Sequence, residues 1–320
     1  MALAGHRLLL ARIERAVHLI DPVFLRSPQF ESESLSDQLG VRVILKVETA
    51  NPIRSFKGRG AEVAVASVAP GATLICASAG NFGQAMAFAC RKRGVPLAIY
   101  ASVNANPLKV DRMRALGATV VLEGEDFDAA KLAAKREAAR SGATMIEDSL
   151  DPGTAEGAGT IALELLDLPE PLDAMAVPLG NGALLAGVGR VLKERWPATR
   201  IVAVQAAGAP AMIESWRSGS LVRHNRIATI ADGIGVREPV PEALDDVRDL
   251  IDDGLLVSEA SIIAAMKLLH RHAGLVVEPS GAVGIAAMLE HPPAFAGKRT
   301  GTIICGGNLT EQQMRDWLES

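Results

Sequence analysis

Short apolar runs alternate with alanine-rich helical patterns along almost all of this 320-residue chain, and few folds are built that way. Strand-like runs lie at 41–47, 73–77, 96–101, 119–122, 174–178, 201–205 and 301–305. Between them, helix-period patterns cover 84–93, 106–116, 127–141, 184–196 and 259–273. Strand followed by helix, repeated, predicts an α/β architecture of parallel sheets flanked by helices. Such folds bind ligands at the carboxyl ends of strands, in the loops that lead into helices. The length suits about two domains at roughly 100–200 residues each. The stretch 148–159, rich in Asp, Pro and Gly, reads as a crossing between lobes.

Composition removes several function classes. Aromatic residues are 3% of the chain, which leaves little for base stacking, and a net charge of −4 with no basic block argues against a nucleic-acid partner. Hydrophobic residues at 49% supply a large aliphatic core. Cys76, Cys90 and Cys305 lie far apart among apolar or glycine neighbours, in neither a disulfide framework nor a zinc spacing, so reduced thiols in a cytoplasmic protein are expected. The apolar run 8–11 is too short for a signal or membrane segment, and Glu14 opposes an organelle-targeting helix over 6–20.

Four segments can carry chemistry. Asn51-Pro-Ile-Arg-Ser-Phe-Lys-Gly-Arg-Gly60 follows the first strand. Ser55 suits an N-cap, which puts Lys57 in the first turn of a helix. The positive end of a helix favours a neutral amine or imine over an ammonium, as Schiff-base chemistry requires. Taken by itself, Ser-Phe-Lys reads better as an exposed lysine on a polar turn. In Ala77-Ser-Ala-Gly-Asn81, Ser78, Gly80 and Asn81 would present N–H groups and short polar side chains at a helix start, a natural carboxylate site or an ordinary turn. In Pro178-Leu-Gly-Asn-Gly-Ala-Leu184, Gly180 and Gly182 allow a nest of N–H donors that suits a phosphate monoester, or simply a tight turn. Cys305 ends a strand ahead of Gly306-Gly-Asn308, where a buried inert thiol is the commoner role.

Taken in order, these segments resemble the fold-type II family of pyridoxal-phosphate enzymes, and within it the threonine/serine dehydratase branch that includes serine racemases. The resemblance rests on Ser55-Phe-Lys-Gly-Arg-Gly-Ala61, Ala77-Ser-Ala-Gly-Asn81, Gly157-Ala-Gly-Thr-Ile-Ala-Leu-Glu164, Ala231-Asp-Gly-Ile-Gly-Val236, Val277-Glu-Pro-Ser-Gly-Ala282 and Cys305-Gly-Gly-Asn308. It implies two open, twisted, mainly parallel sheets with the active site between the lobes. Residues 1–70 and 150–320 would form a large cofactor-binding domain, and 71–149 a small mobile one. Pyridoxal 5′-phosphate would be bound covalently by Lys57, which also moves the substrate α-proton. Phe56, Asn81 (toward the cofactor 3′-oxygen), Gly180, Asn181, Gly182, Ala183 and Leu184 (around the phosphate) and Cys305 (toward the ring nitrogen) would complete the cofactor site. Ser78, Ala79, Gly80 and Asn81 would hold the substrate carboxylate. The implied reaction is β-elimination from a β-hydroxy amino acid such as L-threonine or L-serine, giving a 2-oxo acid and ammonia. A homodimer, a small amino-acid substrate and no membrane partner are expected with it.

Departures from the family pattern narrow the choice. Asn181 and Ala183 interrupt what is often a run of glycines. Phe82 stands where histidine is frequent. Ala79 replaces the serine that racemases use to reprotonate the opposite face, and a methyl group has no proton to give. Gln205 and Ala211 fall at the acidic positions of the racemase metal site, so no metal is expected there. Arg54 reads as a surface charge, with a contact to a second substrate carboxylate as the sharper alternative. With the sequence ending at Ser320, no regulatory domain and no isoleucine inhibition are expected. The alternatives are a dehydratase for another β-substituted amino acid such as threo-3-hydroxyaspartate, an amino-acid racemase, a β-replacement enzyme of the cysteine synthase type, and a catalytically idle cofactor-binding protein.

Overall fold

In the computed structural model, which describes residues 5–319, the alternation resolves into two sheets. Ten strands form among the described residues: β1 (Gln29–Glu31), β2 (Arg42–Val47), β3 (Leu74–Ala77), β4 (Leu97–Ala101), β5 (Thr119–Leu122), β6 (Thr144–Met145), β7 (Ala174–Pro178), β8 (Arg200–Ala206), β9 (Asp253–Val257) and β10 (Arg299–Ile304). The larger sheet has the order β1-β2-β10-β7-β8-β9 and the smaller β5-β4-β3-β6. Every pairing is parallel except β1 with β2. No helix among the described residues is long and apolar enough to cross a membrane.

The strands missed in the sequence are short or disguised. β1 and β6 have three and two residues, too few to show a period. β9 begins at Asp253-Gly254, which reads as a turn, and takes its extended form from pairing with β8.

The stretch 148–159 lies between β6 of the smaller sheet and β7 of the larger. From Pro152 onward it is a helix, Pro152–Leu165, started by the Asp151 carboxylate accepting the Gly153 N–H at 2.7 Å. Its glycines serve close packing rather than a loop. At Gly187, on the facing helix Ala183–Arg195, an added Cβ would lie 2.0 Å from the Ala155 carbonyl oxygen. The helix Lys57–Ala66 packs on the other side of Pro152–Leu165. Two of the helices that open on the cavity described below are therefore registered through one buried helix.

Beneath that packing lies a buried charge network. Arg59 is 0% exposed and donates to Glu48 at 2.8 Å and to Glu164 at 2.6 Å. Lys46, 1% exposed, meets Glu164 at 2.5 Å. Burial would pull the Arg59 guanidinium down, but the charges of Glu48 and Glu164 outweigh it and hold the group above its ordinary value. Each buried charge of the network has a hydrogen-bonded partner of opposite sign.

Candidate active site

Three of the helices that begin at one cavity of about 420 Å³ between the two sheets carry residues assigned from the sequence. They are Lys57–Ala66, Asn81–Arg93 and Ala183–Arg195. Side chains take only part of their first-turn N–H groups: Ser55 accepts that of Lys57 and Ser78 that of Gly83, while Gly182 offers no side chain to Ala183–Arg195. A cavity ringed by helix N-termini suits a ligand with more than one anionic end.

Each sequence-assigned residue lines this cavity: Phe56 and Lys57; Ser78, Ala79, Gly80 and Asn81; Gly180, Asn181, Gly182, Ala183 and Leu184; and Cys305. Ala77 ends β3, Pro178 ends β7, and Cys305 directly follows β10. The site thus sits at the carboxyl ends of strands from both sheets.

Lys57 is the first residue of its helix, but the N-cap is Phe56 rather than Ser55. The Ser55 hydroxyl instead accepts the Lys57 N–H at 3.3 Å and donates to the Cys305 carbonyl at 3.2 Å. Ser55 therefore ties the lysine segment to the end of β10. The Lys57 ammonium lies 4.8 Å from the Phe56 ring centroid and forms an ion pair with Asp148, a residue that sequence reasoning did not single out.

At the glycine loop, Gly182 has φ +101, a conformation that favours glycine, and it caps the helix Ala183–Arg195. Ser78 also has a local task. Its hydroxyl oxygen accepts the Gly80 and Gly83 N–H groups at 3.2 and 3.0 Å, which shapes the turn and leaves its proton free to donate.

Asn81 is held in a triad also missed in the sequence. Its amide nitrogen donates to Glu278 at 2.7 Å, and its oxygen accepts from the Asn308 side chain at 2.9 Å. Glu278 also accepts the Asn308 backbone N–H at 3.1 Å. Burial, reinforced by the charge of Asp232, pushes the Glu278 carboxyl up to about 7. In the folded protein it therefore keeps a proton that the unfolded chain loses near 4.5. Between those values the native state binds more protons, so stability is full below 4.5 and is lost as pH rises through 7. The unfolding free energy of the protein relative to its Glu278→Gln variant should fall on the order of 3 kcal/mol from pH 5 to pH 8. Denaturant melts at the two pH values measure it, and a constant difference would refute the assignment.

Burial, with Glu278 adding to it, raises the Cys305 thiol well above its ordinary value, so it is a neutral group. Asp232 pairs with Lys109 at 2.7 Å, and both line the cavity. Arg54 is exposed and absent from the cavity lining, as a surface charge would be.

The comparisons with known proteins bear on this geometry. The family described as pyridoxal-phosphate dependent enzyme matches residues 20–306.

The chain belongs to that family. An L-threonine ammonia-lyase of Thermotoga maritima is 35% identical over 301 residues, 93% of this chain and 75% of that protein. One from Geobacter sulfurreducens is 36% identical over 290 residues, 89% of this chain and 71% of that protein. Among solved structures, maize serine racemase superposes with a TM-score of 0.89 at 29% identity, over 96% of this chain and 95% of that one. Processed threonine deaminase isoform 2 of Solanum lycopersicum gives 0.88 at 31%, over 97% and 94%. The enzyme is thus pyridoxal-phosphate dependent and of fold type II, with two mainly parallel sheets.

The residues of this chain fit such a cofactor. Asn181 Oδ1 and Ser280 Oγ line the cavity, and both are buried without a hydrogen-bond partner. Buried polar atoms are normally paired, so these orphans mark positions where ligand atoms belong. The Asn181 amide can present its NH₂ to such a ligand by a flip.

Proposed function

We propose that this chain is a pyridoxal-phosphate-dependent ammonia-lyase that converts a β-hydroxy amino acid, L-threonine or L-serine, to a 2-oxo acid and ammonia. The observation that carries this is the opening of Lys57 and the helix starts at Asn81 and Ala183 on one cavity, with a neutral thiol at Cys305. The likeness to L-threonine ammonia-lyases over about nine-tenths of the chain supports the same reading.

The cofactor, when bound, supplies an electron sink at the substrate α-carbon. Lys57 would hold it covalently, and its amine would take the α-proton as a general base. The N–H groups of 180–184 would hold its phosphate, and Asn81 its 3′-oxygen. Cys305 would meet its ring nitrogen without offering a negative charge, which suits rapid departure of a β-substituent over a long-lived carbanion. Ser78, Gly80 and Asn81 bind the substrate carboxylate, beside Ala79. Assay of 2-oxo acid release across a panel of β-hydroxy amino acids tests the function. Release from none of them would contradict it.

The likeness to a serine racemase makes racemisation the second reading. Ala79 lines the cavity with a methyl group where that chemistry needs a proton donor. D-Serine should therefore form at least about 100-fold more slowly than pyruvate from L-serine. A chiral assay giving comparable rates would reverse the choice. At the racemase metal position, the Gln205 side-chain oxygen already accepts the Ile213 N–H at 2.9 Å. Activity independent of Mg²⁺ follows from this reading. We further take the working form to be a cytoplasmic homodimer, with 71–149 as the moving lobe. Size-exclusion mass tests the dimer.

A further inference from the structure

The loop after β6 carries a carboxylate that the reaction above does not use. Asp148 pairs with Lys57 Nζ through Oδ2, while its Oδ1 is buried at the cavity with no hydrogen-bond partner. Its neighbour Glu147 is already engaged by Lys131 at 2.6 Å and Lys135 at 2.9 Å, so the two acids are not equivalent. The loop is also fixed in place. Ser149 has φ +69, and such a conformation persists in a non-glycine residue only where the surroundings enforce it. Here Arg7 donates to the carbonyls of Ser149 and Leu150 at 3.0 and 2.7 Å, and Thr154 Oγ1 accepts the Ser149 N–H at 3.2 Å. Asp148 is thus held against the reactive lysine with one acceptor oxygen left over.

We propose that Asp148 selects the β-substituent: Oδ2 positions Lys57 Nζ, and Oδ1 accepts a hydrogen bond from the β-hydroxyl of the substrate. This rests on the ammonia-lyase reading and names the substrate class more narrowly, as amino acids whose β-group is a hydrogen-bond donor. With its hydrogen on Oδ1, the β-oxygen turns a lone pair toward Nζ. Lys57 takes the proton as the Cα–H bond breaks, and that electron pair becomes the Cα–Cβ double bond. The Cβ–O bond breaks with its pair on oxygen, and the proton on Nζ passes to that oxygen. Water leaves, Lys57 is a neutral amine again, and no further reactant is needed. Asp148 remains a carboxylate throughout.

The test compares L-serine with β-chloro-L-alanine, whose chloride leaves without a proton and whose β-group donates no hydrogen bond. In Asp148→Asn and Asp148→Ala, kcat/KM for L-serine should fall at least about 100-fold. The ratio of the L-serine value to the β-chloro-L-alanine value should fall at least about tenfold. An equal loss on both compounds, or none on L-serine, overturns the proposal. A second readout uses the apoprotein without turnover. An ammonium held on a carboxylate is a poor nucleophile. Acylation of Lys57 by an amine reagent, followed by peptide mass mapping, should therefore be several-fold faster in Asp148→Asn. An unchanged rate overturns the positioning half. A wild type that releases 2-oxo acid from neither compound, while Lys57 labelling still responds to Asp148→Asn, sinks the lyase reading and with it the hydroxyl contact, and upholds the ion pair.

Discussion

Replacing Lys57 with alanine is expected to lower 2-oxo acid release by at least about 10³-fold and to remove the visible absorbance of the cofactor–lysine bond. Both effects follow from one side chain doing two tasks. Its amine is the covalent anchor, and the same amine is the base at the α-carbon. The fold should survive, because Lys57 stands at the first turn of its helix with its head in the cavity, while the buried residues of that helix remain. Near-native circular dichroism with lost turnover is therefore the expected pair of results. A Lys57→Ala protein that stays yellow and active would remove the basis of the assignment.

The second large effect is on stability. Arg59→Met leaves Glu48, which is 1% exposed, without the guanidinium that accounts for two of its hydrogen bonds. Breaking a buried pair on one side costs about 3–5 kcal/mol, because the Glu48 charge keeps the Ser27 hydroxyl but loses its bonded cation. For a chain of this size the melting temperature should fall roughly 5–10 °C. Glu164 suffers less, since Lys46 still reaches it at 2.5 Å. The double variant Arg59→Met/Glu48→Leu should recover part of the loss, because no orphan is left at Glu48. Thermal melts of the two variants decide it; equal destabilisation would show that packing, and not the uncompensated charge, sets the cost. Arg59 lies two residues beyond Lys57 on the same helix, so weaker cofactor retention should accompany the lost stability.

Much of this architecture was legible because its signals are local. The runs 119–122 and 174–178 coincide with β5 and β7, whose apolar residues and flanking turns announce them. The residues from Lys57, Ala77-Ser-Ala-Gly-Asn81, the 180–184 loop and Cys305 converge because each follows a strand and starts or precedes a helix, a rule that needs no tertiary knowledge. Residues whose position depends on contacts across the fold were hidden. Asp148 lies 91 positions from Lys57, in a stretch that reads as a connector. Glu278 meets Asn81 across 197 positions, and its carboxyl is raised by burial and by Asp232, both set by the fold. The helical form of Pro152–Leu165 was hidden because its glycines suit a loop equally well, and only the facing helix reveals their use. Ser55 was a sound cap candidate by composition, but its bond to the Cys305 carbonyl moves the helix start one residue on.

Everything in the site depends on where pyridoxal phosphate is attached. The holoprotein should be reduced with borohydride, digested and mapped by mass spectrometry. A pyridoxyl group on the peptide containing Lys57, and on no other lysine peptide, is the result this account predicts. A modified Lys109 or Lys131 with Lys57 left free would contradict it.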